Sequence, residues 1–328
     1  MSDSAVLNRK GVLDVADKDG QFRRQTSQFR NFVTPDSNSA FPPEKDRYAL
    51  YIHLGCPWAH RTSIVRTLKG LDDIIQLIVL DAMDPAKSWY FSGDGEVGPK
   101  KDPLYGFKYL REFYEKVDPH YDGRVTVPML WDKKKETIVS NESSDIIRMF
   151  YTAFDGLLPP EKREETKGEA GLLPKSLQPA IEEMNQWVYD FISNGVYKTG
   201  FASTQEAYEE HIYPLFESLD RVEEHLGQPG HQPYLFGEHI TDADIRLYTA
   251  IIRFDVAYHT LFRCNLKMIR HDYPRMYEWL RRLYWDESER TNGAFKNTLR
   301  FDVIKKGYAS ASRSKVVPVG PVPNIHHL

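Results

Sequence analysis

The chain has 328 residues and a formal net charge of −4, with 43 basic side chains against 47 acidic ones. This balance argues against a nucleic-acid partner, which would require a basic surface. Two cysteines in so long a chain argue against a disulfide framework, and residues 1–18 lack the apolar stretch of a secretory signal. Because no apolar run reaches the length of a membrane span, we expect a cytoplasmic protein with no membrane partner.

The first segment, residues 1–45, is polar and shows no sustained apolar period. We interpret it as an N-terminal arm that wraps the domain following it. Four aromatic residues predict that the arm is held down, namely Phe22, Phe29, Phe32 and Phe41.

A strand, a cysteine and a helix follow in direct succession. Residues 48–54 are aromatic and branched, which is typical of a buried strand, and apolar residues then recur at helical spacing until Gly70. Pro57 suits the first helical position, which makes Cys56 the N-cap. A thiol there faces free N–H groups and the positive end of the helix dipole, so we expect the thiolate to be favoured. The alternative is an inert, buried cysteine.

Three neighbours refine the interpretation of this cysteine. His60 and Arg61 lie in the first turns of the helix, where they either add positive potential or point into solvent. Ala59 stands where a C-x-x-C motif has its second cysteine. Any disulfide chemistry at Cys56 therefore needs an external thiol.

Further strands are predicted downstream. Residues 74–80 form a second strand and complete a parallel strand-helix-strand unit. Residues 81–122 form a long connection that carries Trp89, whose simplest role is a hydrophobic plug. Residues 125–131 form a strand interrupted by Pro128, and a cis Val127-Pro128 bond would accommodate this proline. Residues 136–139 form the antiparallel partner strand.

The sequence Ser-Asn-Glu-Ser at 140–143 opens another helix, where ordinary capping is the simplest role of these side chains. Residues 155–175 contain paired prolines, a charged run and several glycines, and we interpret them as a linker. Helical spacing follows at 176–193, 204–226, 241–258 and 273–284. Thr241 and Asp244 form a capping box, and Cys264 lacks any reactive context.

Several motifs together resemble the xi-class glutathione transferases, also called glutathionyl-hydroquinone reductases. The resemblance spans nearly the whole chain and rests on FRRQTSQFRN at 22–31, GCPWAHRT at 55–62, RVTVP at 124–128, SNES at 140–143, NGVYK at 194–198 and ADIRL at 243–247. It implies a thioredoxin-like N-terminal domain followed by an all-helical C-terminal domain, with the active cleft between them. The expected segments are 1–45 (arm), 46–154 (thioredoxin-like domain, with the insertion at 81–122), 155–175 (linker), 176–310 (helical domain) and 311–328 (tail).

The resemblance also implies a set of site residues. In this family the residue preceding the strand proline pairs with glutathione through its backbone, and a helix N-terminus with a serine and a glutamate receives the γ-glutamyl group. The expected glutathione contacts are Trp89, Arg124, Val127, Glu142 and Ser143, although Arg124 is otherwise a solvated charge at a strand end. The expected pocket for the aromatic substrate contains Tyr197, Tyr258 and Tyr308, which periodicity alone would assign to the interdomain core.

The implied activity is reduction of glutathionyl-hydroquinones, with Cys56 as the nucleophile, glutathione as co-substrate and no metal or nucleotide. A homodimer is expected. Two alternatives stay open: an omega-like thioltransferase or dehydroascorbate reductase, which needs no tyrosine pocket, and a non-catalytic ligand-binding protein of the same fold.

Overall fold

A computed structural model describes residues 16–84, 86–312 and 316–328. The strands in these residues are β1 (Tyr48–His53), β2 (Gln76–Leu80), β3 (Ala82–Asp84), β4 (Ser88–Tyr90), β5 (Met129–Asp132) and β6 (Thr137–Ser140). Four of them form a mixed sheet in the order β2-β1-β5-β6, in which β1 and β2 are parallel and β5 runs antiparallel to both β1 and β6. This is the thioredoxin-like arrangement that the family resemblance implied.

The helices follow the same division of the chain. The N-terminal half contributes α1 (Pro57–Leu68), α2 (Arg111–Val117) and α3 (Ser143–Thr152). Helices dominate the C-terminal half, in the order α4 (Gln178–Trp187), α5 (Gly195–Phe201), α6 (Gln205–His225), α7 (Asp242–Arg253), α8 (His259–Leu261), α9 (Ile269–Asp272), α10 (Pro274–Trp285), α11 (Ala294–Asn297) and α12 (Phe301–Ala311). The predicted all-helical second half is confirmed.

Several predicted boundaries move. The predicted strand 125–131 begins only at Met129, because Pro128 has no N–H to donate to a ladder. The long helices predicted at 176–193 and 241–258 each change to a π-helical stretch, at Val188–Ser193 and Phe254–Tyr258. Helix α12 has no counterpart among the four predicted helices.

The insertion is more ordered than its composition suggests. It contains the β3-β4 hairpin and α2, which packs against the sheet through Phe113. The Phe113 ring centroid lies 4.7 Å from that of Tyr51 and 4.9 Å from that of Trp131. This aromatic packing covers one part of the sheet, while α1 packs against α3 and α7.

The arm, of which residues 1–15 lie outside the described residues, is held by both halves of the chain. The Asn31 N–H donates to the Val139 carbonyl at 2.9 Å, which ties the arm to β6. Phe22, by contrast, packs against Tyr197 and Phe201 of the helical half. Phe32 was predicted to help hold the arm, but 45% of it is exposed. The arm therefore bridges the two halves and does not wrap the first domain alone.

A buried carboxylate joins the helices of the two halves. Asp242 is fully buried and accepts hydrogen bonds from Arg148 (3.0 Å) and Tyr151 (2.7 Å) of α3. It also accepts from Asn185 of α4 (2.6 Å) and from Arg246 of α7 (2.7 Å). Nearby arginines stabilise the ionised form, so the pKa of Asp242 is well below its ordinary value despite its burial.

The predicted capping box at the start of α7 is confirmed. The Asp244 carboxylate accepts from the Thr241 N–H at 2.8 Å and also from the Trp279 indole at 2.8 Å.

The C-terminal tail lies along α10, where Tyr277 donates to the Asn324 carbonyl at 2.6 Å and Trp285 donates to that of His326 at 3.1 Å. The domain limits themselves stay predictions.

Candidate active site

The site is built around the loop that joins β1 to α1. Cys56 is the N-cap of α1, with Pro57 as the first helical residue, as the sequence predicted. Its Sγ atom lies 3.5 Å from the carbonyl oxygen of Val127, to which the thiol donates. The Val127-Pro128 peptide bond is cis, which confirms the predicted geometry of this proline.

A cavity of about 510 Å³ opens beside the cysteine. The arm, the loop at 124–127, the insertion and α12 all contribute to its walls. Six of the nine predicted site residues line it, namely Cys56, Trp89, Arg124, Val127, Tyr197 and Tyr308. Glu142, Ser143 and Tyr258 are not among the described residues that line it. The cavity therefore brings the cysteine together with three of the five predicted glutathione contacts and two of the three predicted tyrosines.

The electrostatic environment of the thiol differs from the sequence-based expectation. Burial raises the pKa of the Cys56 thiol above its ordinary value. The N–H groups of Ala59 and Trp58 and the guanidinium groups of Arg253 and Arg24 act in the opposite direction. The prediction that the helix N-terminus favours the thiolate was therefore wrong for the net direction, because the cost of burial exceeds the gain from the dipole.

His60 and Arg61 are both buried, so the alternative that they point into solvent is wrong. Burial and the neighbouring Arg253 lower the pKa of His60 well below its ordinary value, so this imidazole is neutral near pH 7. Arg61 stacks on the Trp58 ring at 4.7 Å, and burial lowers its pKa to about 10. Of the two, only Arg61 carries a positive charge at neutral pH.

Arg253, at the end of α7, was missed by the sequence analysis. Its guanidinium donates to the carbonyl oxygens of Leu54 and Gly55, both at 3.2 Å, and to Nδ1 of His60 at 2.9 Å. These contacts hold the backbone immediately before Cys56. The available signal was a basic residue within a mainly apolar stretch of a predicted helix, at 250–257.

The three tyrosines that the resemblance singled out lie together. The hydroxyl of Tyr308 is 2.8 Å from that of Tyr197 and 3.0 Å from that of Tyr258. Burial raises the pKa of all three phenols, to about 12 for Tyr197 and well above the ordinary value for Tyr258 and Tyr308. They are therefore neutral at physiological pH and can donate hydrogen bonds or protons.

Arg24 of the arm also lines the cavity, within the FRRQTSQFRN motif. Its guanidinium lies 4.6 Å from the Trp58 ring and 4.9 Å from the Tyr197 ring, and its Nε donates to Asn194 at 2.8 Å. The Nη2 atom is buried without a hydrogen-bond partner. Arg24 therefore has an unused donor beside the tyrosines.

Glu142 caps α3 at the edge of the site. Its carboxylate accepts from the Ser144 N–H at 3.0 Å and from the Ser27 hydroxyl at 2.9 Å. Although burial opposes ionisation, these bonds and the positive charges of Arg61 and Arg30 hold the pKa of Glu142 below its ordinary value. Ser143 begins α3 beside it and is buried. The N-terminus of α3 therefore carries an ionised carboxylate next to a serine hydroxyl.

Trp89 and Arg124 complete the cavity from the other sides. The Trp89 ring centroid lies 4.7 Å from that of His53, which places the indole against the base of the β1-α1 loop. Burial and the nearby Arg24 lower the pKa of Arg124.

The residues that the structure describes contain no cluster of His, Cys, Asp and Glu suited to a metal ion. Across those residues, no helix has the length and apolarity needed to cross a membrane.

The family model of the glutathione S-transferase N-terminal domain matches residues 55–153, and that of the C-terminal domain matches residues 205–282. A Schizosaccharomyces pombe protein named glutathione S-transferase omega-like 2 is 45% identical over 98% of this chain and 100% of the relative. The Escherichia coli glutathionyl-hydroquinone reductase YqjG is 44% identical over 94% of this chain and 91% of its own length.

Solved structures agree with these relatives. The glutathione-S-transferase Xi from Phanerochaete chrysosporium is 48% identical and has a TM-score of 0.87, with 95% of this chain and 96% of the other covered. The glutathione-bound structure of Escherichia coli YqjG is 42% identical with a TM-score of 0.81, and the match covers 94% and 96% of the two chains. Sequence and fold therefore agree that the chain belongs to the xi class of the glutathione transferase family.

Proposed function

We propose that the protein is a glutathione-dependent reductase that removes the glutathionyl group from glutathionyl-hydroquinones. Two kinds of observation support this proposal. The Escherichia coli relative is named a glutathionyl-hydroquinone reductase, and its structure has been solved with glutathione bound. The single observation that carries the proposal is that Cys56 and the hydrogen-bonded Tyr197-Tyr308 pair line the same cavity.

We propose that glutathione binds along the loop at 124–127. The backbone of Val127 pairs with its cysteinyl residue, the indole of Trp89 packs against it, and Arg124 binds its glycine carboxylate. The N-terminus of α3 receives the γ-glutamyl group, with Ser143 binding the carboxylate and Glu142 the ammonium. The ionised state of Glu142 suits this last role.

The proposed reaction begins when the Cys56 thiolate attacks the glutathionyl sulfur of the conjugate. A bond forms between the two sulfur atoms, and the bond between sulfur and the aromatic carbon breaks. The electron pair of the broken bond stays on that carbon, which takes up a proton, so the hydroquinone is released in reduced form. A second glutathione thiolate then attacks the mixed disulfide, which gives oxidised glutathione and regenerates the Cys56 thiolate. The two glutathione sulfurs are oxidised and the aromatic carbon is reduced.

A proton donor is needed beside the aromatic carbon, and we assign this role to the tyrosines. Tyr197 lines the same cavity as the thiol. Tyr308 bonds to it and can pass on a proton, while the fully buried Tyr258 fixes Tyr308 from behind. A neutral phenol can donate to the quinol oxygen or to the carbon that loses sulfur.

The deciding experiment uses wild type and Cys56→Ser, each mixed with one equivalent of a glutathionyl-hydroquinone. Released hydroquinone is measured by chromatography, and the intact protein is weighed by mass spectrometry. We expect hydroquinone release and a glutathione adduct on wild type, and neither on Cys56→Ser. Absence of hydroquinone release from wild type would refute the reductase proposal.

A thioltransferase or dehydroascorbate reductase is the second candidate, since the Schizosaccharomyces pombe relative is named omega-like. An adduct that forms from oxidised glutathione, without any activity on the hydroquinone conjugate, would favour it. Absence of an adduct from either compound would favour the non-catalytic binding protein. The homodimer and the cytoplasmic location stay predictions.

A further inference from the structure

Arg253 carries an unusual buried charge. It is 0% exposed, and no carboxylate of the described residues forms an ion pair with it. Two other buried cations have such partners: Arg47 pairs with Asp132 at 2.6 Å and Lys69 with Asp155 at 2.9 Å. Arg61 is buried without an ion pair in the described residues, and it stacks on the Trp58 ring. An unpaired buried charge is costly, so a chain retains one only where surrounding dipoles or a nearby anion stabilise it.

All of the hydrogen-bond partners of Arg253 are neutral. It donates to the carbonyls of Leu54, Gly55 and Thr249 and to Nδ1 of His60. Because the guanidinium donates to Nδ1, the proton of the neutral imidazole lies on Nε2, which is 3.0 Å from the Thr298 hydroxyl. The Nδ1 atom of His60 is thus a hydrogen-bond acceptor, and it binds the Nη1 group of Arg253.

Two of these contacts are made to the backbone just before Cys56. The two carbonyls that Arg253 binds belong to the last two residues before Cys56, so the guanidinium is held against the backbone that leads into the cysteine. We propose that Arg253 is a positioning residue whose charge has the Cys56 thiolate as its counter-ion and whose fork fixes the approach of the β1-α1 loop to α1. The assignment rests on the proposed nucleophilic role of Cys56.

Other charged and titratable groups act on the thiol as well. The Arg253 charge lowers the pKa of Cys56, and that of Arg24 acts in the same direction more weakly. The further titratable groups that line the same cavity are His53, Asp81, Asp94, Glu96, Tyr121, Arg124, Tyr197, Asp302, Lys306 and Tyr308. Arg253 differs from these groups because it is fully buried and its guanidinium is bonded to the backbone of the cysteine loop. Solvent therefore screens its charge little, and its position relative to the loop is fixed.

The test compares Arg253→Gln with Arg246→Gln. Arg246 is on the same helix and bonds to the buried Asp242, so both variants lose guanidinium contacts in α7, but only one loses the contact with the cysteine loop. The pKa of Cys56 is measured from the pH dependence of its alkylation by iodoacetamide, followed by mass spectrometry. This assay needs neither glutathione nor a quinol, so it stays informative if the reductase proposal fails.

We expect Arg253→Gln to raise the pKa of Cys56 by about one unit, which slows alkylation at pH 7 about tenfold. Arg246→Gln should leave this pKa unchanged even if it unfolds at a lower temperature. An unchanged pKa in folded Arg253→Gln, or the same shift in both variants, would overturn the proposal. If Arg253→Gln does not fold, Arg253→Lys and Arg246→Lys allow the same comparison, with an expected shift of about half a unit in the first alone, since Lys lacks the fork.

Discussion

The Sγ atom of Cys56 lies 3.5 Å from the carbonyl oxygen of Val127, and the thiol is the donor in this contact. A thiolate has no proton to donate, so ionisation of Cys56 breaks this contact and brings a negative charge to face the carbonyl dipole. The contact therefore adds to burial as a reason for the free thiol to hold its proton. In the proposed complex, the glutathione backbone pairs with Val127 and changes these surroundings.

The first prediction concerns the pH dependence of the cysteine. Because the pKa of Cys56 lies above its ordinary value, the thiolate fraction in the free protein is small at pH 7 and grows with rising pH. We expect the rate of iodoacetamide alkylation at Cys56 to keep increasing beyond about pH 8.5, the pKa of an ordinary thiol. Cys264 provides an internal control, since its burial raises its pKa still further. A plateau at or below pH 7 would contradict the prediction.

The second prediction concerns Arg24, for which the adjacent Arg23 provides a matched control. Arg23 is exposed and pairs with Asp17 and Asp19, whereas Arg24 lines the cavity with a free Nη2 donor. We expect Arg24→Gln to raise KM for a glutathionyl-hydroquinone about tenfold, through loss of a charge-assisted contact worth about 1.5 kcal/mol. Arg23→Gln should leave KM within about twofold of wild type, as expected for an exposed pair. Equal KM values for the two variants would show that Arg24 does not contribute to binding of the conjugate.

The third prediction separates the roles of the tyrosines. Tyr197 and Tyr308 line the cavity, whereas Tyr258 only bonds to Tyr308 from the protein interior. We expect Tyr197→Phe and Tyr308→Phe to lower kcat for the hydroquinone conjugate by about 100-fold, the usual contribution of a proton donor. Tyr258→Phe should cost less than about tenfold in kcat. The assay is steady-state release of hydroquinone, and a larger loss for Tyr258→Phe than for the other two would reverse these roles.

The fourth prediction concerns Glu142, whose carboxylate caps α3 and is assigned to the glutathione ammonium. Gln keeps an oxygen that can accept from the Ser144 N–H, so Glu142→Gln should change the free energy of unfolding by less than about 1 kcal/mol. It should weaken glutathione binding about tenfold by removing the charge. Calorimetry with the Cys56→Ser protein measures this binding without disulfide formation.

An analogue of glutathione that lacks the α-amino group serves as the control ligand. If Glu142 binds the ammonium, the analogue should bind Cys56→Ser and Cys56→Ser/Glu142→Gln with equal affinity. A tenfold difference that persists with the analogue would assign the effect to the helix and not to the ammonium. Because the pKa of Glu142 is lowered, binding should also persist as the pH falls from 7 to 5.

The fifth prediction concerns stability. Asp242 is buried among four donors from three helices, so Asp242→Asn should lower the free energy of unfolding by about 3–5 kcal/mol. The folded-state pKa of Asp242 is lowered, so the ionised carboxylate contributes fully to the free energy of unfolding above about pH 4. This contribution is lost as the pH falls below the pKa of an ordinary aspartate. Asp220 pairs with Lys267 at the surface, and Asp220→Asn should cost less than about 1 kcal/mol. Urea denaturation of wild type and both variants at pH 7 and at about pH 3 measures these effects, and the difference between wild type and Asp242→Asn should shrink at the lower pH.

Local patterns predicted the parts of the fold that depend on local chemistry. Pro57 after Cys56 and the Thr241-Asp244 capping box each depend on residues within one turn of helix, and both were confirmed. The strand ends and the insertion were predicted less accurately, because Pro128 removes a donor and the packing of Phe113 requires partners from distant strands. The three tyrosines were predicted through family resemblance, since each has the spacing of an ordinary core residue.

The sequence by itself predicted where the thiol lies, because a strand, a cysteine and a proline-initiated helix are encoded within about 20 consecutive residues. It predicted the class of the protein through the family resemblance of six motifs spread along the chain. Only the tertiary structure decided the electrostatics of that thiol. Arg253 is 197 residues away along the chain, and Arg24 belongs to the arm. Burial depends on every segment that packs around the site, and its effect on a charge exceeds that of the local helix dipole. The net direction of the Cys56 pKa therefore follows from the folded arrangement and from no single motif.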